Sequence, residues 1–202
     1  VLYPSTSLAC RITAELPEPL CFPQEELVHQ LVERLLSHQK DFDYIDEVTL
    51  AERIDSEGRV IGGGSYQAIL LPHLHYIGER AAGALRRFAA GGGRVIAVGT
   101  IPAALPADLQ PARSDWAGEA LECAESLDAE TLASLPGVAV EGDGARDIFV
   151  LTRDLAQGRT LFAVNRAERI FRGRIEGRPV AIVGRGAATL HADGTVTGQL
   201  AP

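Results

Sequence analysis

The fold turns on residues 42–100, FDYIDEVTLAERIDSEGRVIGGGSYQAILLPHLHYIGERAAGALRRFAAGGGRVIAVGT. Three short apolar segments stand out in this stretch: FDYID (42–46), QAILLP (67–72) and RVIAV (94–98). The second is a continuous apolar run, which suits a strand covered on both faces. Between it and the third, residues 77–90 place Ile77, Ala81, Leu85 and Phe88 at helical spacing, and Gly91-Gly92-Gly93 stops the helix. Strand, helix, glycine stop and strand describe a βαβ crossover. A parallel sheet follows, because parallel strands cannot be joined by a tight turn.

Upstream, residues 1–3 read as a strand ending at Pro4, with Ser5-Thr6-Ser7 as a loop at its carboxyl end. Such loops are where open α/β sheets bind ligands. Residues 17–23 are a proline-rich connector. Residues 23–39 predict a helix, with Pro23 at its first position and Glu25 and Glu26 complementing the dipole. Leu27, Leu31 and Leu35, with Val28, Val32 and Leu36, give it a wide apolar stripe.

After FDYID, residues 48–54 predict a short helix, 55–58 a turn, and 59–61 a small strand before Gly62-Gly63-Gly64. The pattern loosens over residues 101–111, and residues 119–135 read as one or two helices carrying Leu121, Leu127 and Leu132. From Asp147 onward the character changes. Residues 148–152, 159–165, 170–175, 180–183 and 187–191 are short strands, separated by turns such as Gln157-Gly158, Glu176-Gly177 and Asp193-Gly194. The gaps leave no room for helices, so these strands are expected to pair antiparallel. The expected organisation is an α/β domain over residues 1–146 followed by a small antiparallel β segment over 147–202.

A chain of 202 residues can build one α/β core, or one domain with a smaller module. Its net charge of −8 sets it against phosphate, so nucleic acid is not an expected partner. No run approaches the roughly 20 apolar residues of a membrane helix, so a membrane is not expected either. The chain has no methionine, and Val1 already lies in an apolar segment. It is therefore expected to be a piece of a longer protein. No signal peptide is visible; the compartment stays open, with the cytoplasm as the expectation. Cys10, Cys21 and Cys123 are odd in number and lack CxxC spacing. They read as free or buried thiols, and no cofactor is expected.

The residues that could carry chemistry are few. His73 and His75 form an HxH pair that could ligate a metal, with Glu79 as a third ligand. No further His/Cys cluster completes a site, and two ordinary histidines at a strand end are the plainer reading. Asp41, Asp43, Asp46 and Glu47 crowd one strand end. A glycosidase needs two carboxylates about 5 to 9.5 Å apart across a cleft. Neighbours on a single extended segment alternate faces instead, so a solvated strand end is expected. The glycine triplets match no nucleotide fingerprint, since Gly91-Gly92-Gly93 precedes a strand. The bend Val98-Gly99-Thr100-Ile101 occupies the place where a doubly wound sheet can carry a nucleophile. It offers neither cysteine nor serine, and Pro102 follows, so no nucleophile is expected there.

At these residues a family likeness enters. FDYIDE (42–47), GGGSYQAILLP (62–72) and FAAGGGRVIAVGTIP (88–102) resemble a class I glutamine amidotransferase-like module of large bacterial glycoside hydrolases. The module is similar to the trimerisation domain of family 42 β-galactosidases and to the middle domain of α-L-rhamnosidase-like enzymes. The likeness covers residues 1–106. RTLFAVNR (159–166) and RGRIEG (172–177) resemble the β-rich segments that follow such domains. The resemblance implies a flavodoxin-like parallel sheet with flanking helices. A true amidotransferase would carry a cysteine near Gly99 and Thr100 and a downstream His-Glu pair; this chain carries neither. The fold is implied without that activity.

The functional expectation is a non-catalytic accessory or oligomerisation module of a larger glycoside hydrolase. Its expected partners are the rest of that enzyme, a second copy of itself, and carbohydrate. One alternative is a small stand-alone hydrolase with a cleft lined by Ser5, Thr6, Asp46, Glu47, His73 and Thr100, of which His73, Glu47 and Thr100 would be catalytic. Another is a sugar-binding module stacking sugars on Trp116 and Tyr76.

Overall fold

A computed structural model describes residues 1–3, 22–61, 66–106, 115–118 and 121–202, with residues 22–24 described by their backbone alone. The chain divides into two compact units. One comprises residues 1–31 and 43–133, the other residues 32–42 and 134–202.

The first unit is organised on β1 (Ala68–Pro72) and β3 (Arg94–Val98), which pair in parallel from Ala68 opposite Arg94 to Pro72 opposite Val98. Four of the five residues in each strand are buried, as the unbroken apolar runs require. β5 (Glu122–Ala124) continues the sheet in parallel beside β3. On the other side, the Leu2 N–H donates to Leu70 O, and Leu2 forms a parallel bridge with Ile45. The order across the sheet is thus Ile45, Leu2, β1, β3, β5.

The first crossover helix, α1 (Phe22–Ser37), buries Val28, Leu31, Val32 and Leu35, the stripe read from sequence. A short helix, α2 (Glu47–Arg53), follows Ile45. The helix between β1 and β3, α3 (Glu79–Ala90), buries Ala81, Leu85 and Phe88 in the core, together with Leu50, Leu71 and Leu74. Residues 55–58 turn as expected. Gly58 is held at φ +80, where an added Cβ would lie 2.1 Å from Arg87 O, so the turn closes directly on the end of α3.

Several sequence expectations are corrected here. FDYID contributes only the Ile45 bridge to the sheet, because its neighbours are drawn into a helix cap and other side-chain contacts. Ile77 is not helical: β2 (Tyr76–Gly78) pairs in parallel with β4 (Ala103–Leu105), inside the stretch read as patternless. Both strands are three residues long, too short to display a period. Residues 122–124 are strand where helix was expected, and helix α4 begins only at Ala129 (Ala129–Ser134). Leu127 and Leu132 are nonetheless buried. Ser5, Thr6, Cys10, Cys21 and the Gly62–Gly64 triplet lie outside the described residues.

The second unit holds the antiparallel strands. β6 (Val140–Asp143), β9 (Phe171–Ile175) and β10 (Arg178–Ile182) form one sheet in the order β10-β9-β6. β7 (Ile148–Leu155), β8 (Gly158–Asn165), β11 (Ala187–Leu190) and β12 (Val196–Gly198) form another, in the order β12-β11-β8-β7. The antiparallel pairing therefore starts at β6, ahead of Asp147. Glu176 (φ +49) and Gly177 (φ +72) make the two-residue turn between β9 and β10, the geometry that matches strand twist. Ile148, Leu161, Phe171, Ile175, Ile182 and Leu190 fill the core.

Two buried amides organise this unit. Gln39 Nε2 donates to the carbonyls of Ser37, Ala145 and Ile148. Asn165 Nδ2 donates to Arg169 O, Ile182 O and Val183 O, while its Oδ1 accepts from the Ala167 N–H. Among the described residues, no helix is long and apolar enough to cross a membrane.

Asn165→Ala is expected to cost roughly 2–4 kcal/mol, because it strands buried carbonyls without a donor. Asn165→Asp should be no milder, since it turns a carboxylate toward three carbonyl oxygens. Urea unfolding followed by circular dichroism checks both; a loss under about 1 kcal/mol in each variant would contradict the role given to this amide.

Candidate functional site

In an open parallel sheet, ligands gather at the carboxyl ends of the strands. In the first unit these ends are followed by Asp46 after Ile45, His73 after β1, and Gly99-Thr100 after β3. The structure brings His73 and Thr100 together. The His73 N–H donates to Val98 O at 2.8 Å, and Thr100 Oγ1 donates to Leu74 O at 3.1 Å. His73 takes a left-handed backbone, φ +49, rare for a residue with a side chain. Its ring lies against Gly99, itself at φ +90, where an added Cβ would come within 2.3 Å of His73 Nδ1. Partial burial lowers the His73 pKa, and the neighbouring His75 lowers it further. Both effects favour the neutral imidazole.

Asp46 does different work. It is the N-cap of α2, and its Oδ1 accepts the backbone N–H groups of Val48 and Thr49, both at 2.9 Å. Its Oδ2 accepts the Thr49 hydroxyl at 2.6 Å. The Thr49 hydroxyl and these backbone donors hold its carboxyl below the usual carboxylate range. Glu47 is buried, and its Oε2 accepts the Gly78 N–H at 2.7 Å. Gly78 is the N-cap residue of α3 and brings no side chain of its own. The Glu47 carboxylate thus sits where the helix presents its positive end.

The acidic group read as a solvated strand end is dispersed among separate partners. Asp41 accepts the Thr152 N–H at 2.7 Å, Asp43 accepts the Tyr66 hydroxyl, and Asp46 and Glu47 serve helix starts. Tyr66 carried no signal in the sequence; only a contact spanning 23 residues reveals it. His75 and Glu79 are both exposed. Among the described residues, no group of three or more His, Cys, Asp or Glu side chains is placed to hold a metal. Cys123 is an exposed thiol. Trp116, expected as a stacking surface, is instead buried in the core, with Nε1 donating to Pro102 O at 2.6 Å. Tyr76 does remain exposed. The carboxyl-end residues are engaged in capping and positioning backbone, and His73 among them holds a strained conformation.

Against known proteins, no family model matches the chain. No curated protein matches it at a significant level. Among solved structures, it is similar to a rhamnosidase from Novosphingobium sp. PP1Y, with 16% sequence identity and a TM-score of 0.53. The match covers 79% of this chain and 20% of the rhamnosidase, so the chain spans about a fifth of that protein's length. At this identity the likeness is one of fold.

Two outcomes follow from this geometry. Gly99→Ala should destabilise by about 2 kcal/mol or more, combining left-handed strain with a clash on His73. Gly92→Ala, also at φ +90 but with nothing within 4 Å of the added Cβ, should cost about half as much, from strain alone. Thermal denaturation of the pair separates clash from strain; equal losses would deny the His73 contact. Asp46→Ala should cost about 1 kcal/mol. Because the Asp46 pKa is depressed on folding, the cap's contribution is complete above about pH 4 and disappears as pH falls through the lower folded value. Stability measured against pH should fall less steeply in acid for Asp46→Asn than for the parent chain, the remaining loss coming from Asp55, Glu122 and Asp193, whose pKa values are also lowered.

Proposed function

We propose that this chain is a non-catalytic module of a larger glycoside hydrolase, built on a glutamine amidotransferase-like, flavodoxin-like sheet. The observation that carries the reading is the fold shared with part of a rhamnosidase over 79% of the chain. The strand order adds support. Numbered along the chain, the segments at Leu2, Ile45, β1, β3 and β5 stand in the order 2-1-3-4-5 of flavodoxin-like sheets.

The chemistry of the carboxyl ends agrees with a supporting part. A glycosidase acid needs a carboxyl free to give and take a proton beside the scissile bond. Asp46 is ionised and fastened to a helix start, and Glu47 is buried against Gly78. The Thr100 hydroxyl donates to a backbone carbonyl. These groups are engaged within the module's own fold, and the role proposed for it is to hold neighbouring parts of the enzyme, or further copies of the module, in place. The reaction itself would belong to another domain of the parent.

The 202-residue chain is expected to give no turnover of nitrophenyl rhamnosides, galactosides or esters. Hydrolysis that disappears in His73→Ala or Glu47→Gln would overturn the reading in favour of an enzyme in its own right. Sedimentation at several concentrations tests whether the module associates with itself.

A further inference from the structure

In the second unit, β7 pairs with β8 alone among the described strands, so its other long side is an edge of the sheet. The strand has eight residues, more than the usual five or six, and opens with the apolar run Ile148-Phe149-Val150-Leu151. A long apolar edge strand offers its backbone N–H and C=O groups to any other strand, and native proteins prevent this by blunting the edge.

Here side chains blunt it. Asp147 O accepts the Arg166 N–H on the β8 side, so alternation turns the backbone groups of Ile148, Val150, Thr152 and Asp154 outward. Three of those groups are occupied. Ile148 O accepts Gln39 Nε2 at 3.1 Å, the Thr152 N–H donates to Asp41 Oδ2 at 2.7 Å, and Thr152 O accepts Arg153 Nη1 at 2.7 Å. Arg153 Nη1 in turn lies 4.0 Å from Asp41 Oδ2. Gln39 is buried and anchors residues 39–42, a strap that belongs to the same unit as β7. The far end of the strap is held more lightly. A cavity of about 160 Å³, lined by Asp41, Phe42, Phe149 and Val150 among others, lies where strap meets strand. The packing contacts missing there leave the polar bonds to keep Asp41 in place.

We infer that the strap at residues 39–42, together with Arg153, guards the edge of β7, and that a second copy of the chain adds its own β7 there when the guard is lifted. Every copy carries the same edge, and two such edges can pair antiparallel about a two-fold axis. The inference concerns which side of the module is shut to other copies, and it goes beyond the accessory role proposed above.

The test is sedimentation velocity of the intact 202-residue chain and its variants over a range of concentrations, read beside backbone amide exchange. Asp41→Ala uncovers the Thr152 N–H, which should exchange about tenfold faster in dilute solution. As concentration rises, Asp41→Ala should sediment faster than the unsubstituted chain, and the Val150, Thr152 and Asp154 amides should become protected together. Asp41→Asn keeps a side-chain oxygen at the N–H and should behave as the unsubstituted chain does. Arg153→Ala changes an exposed side chain and uncovers only the Thr152 carbonyl, so it should associate more weakly than Asp41→Ala. Adding Asp154→Pro to Asp41→Ala should restore the original sedimentation, because a proline on the outer side blocks strand addition and removes no bond to β8. Asp41→Ala that sediments as the unsubstituted chain does at every concentration, or association that survives Asp154→Pro, would overturn the guard. So would association of the unsubstituted chain that Asp154→Pro abolishes, since the edge would then already stand open.

Discussion

The parallel pairing of β1 with β3 is the constraint on which the first unit depends. Five residue pairs run in the same direction, so the chain must return from Pro72 to Arg94 over one face of the sheet, and α3 makes that return. The helix covers one side of the strands, where Leu71 shares a core with Ala81, Leu85 and Phe88. Leu70, on the opposite face, is buried as well. The same return fixes the secondary contacts. Arg87, near the end of α3, donates to the carbonyls of Ile54 and Asp55, so the segment leaving α2 is tied to the helix that covers the sheet.

Much of this was legible in the sequence, for identifiable reasons. AILLP and RVIAV are unbroken apolar runs bounded by glycine or proline, and the structure keeps them as strands with nearly those limits. Leu27 to Leu36 announced α1 because sixteen helical residues give the period room to repeat. The turns at Gln157-Gly158 and Glu176-Gly177 marked the antiparallel strands, because glycine there supplies a positive φ. What escaped was short or defined by distant partners. β2, β4 and β5 have three residues each, and their strand character comes from a neighbour's free edge. The tie between Tyr66 and Asp43, and the carbonyls gathered by Gln39 from beyond residue 144, have no local signature at all.

The carboxylates show how composition can mislead about chemistry. Asp43, Asp46 and Glu47 within five residues invite a catalytic reading, yet each meets a different structural demand: a tyrosine hydroxyl, a helix start three residues on, and a glycine N–H across the unit. Helix α3 begins on a glycine that has no side chain to offer its amides, and a buried glutamate from elsewhere in the chain takes that place. Acidic residues near sheet ends can thus be accounted for by the backbone they stabilise before any substrate is invoked.

The burial of Trp116 has a practical consequence. It is the chain's one tryptophan, its indole N–H anchored on Pro102 O inside the α/β core, while the second unit holds none. Its emission is therefore a built-in optical gauge of one half of the molecule, whereas circular dichroism sums over both. Melting curves recorded by the two signals will superimpose when the units come apart together and diverge when each melts in its own step.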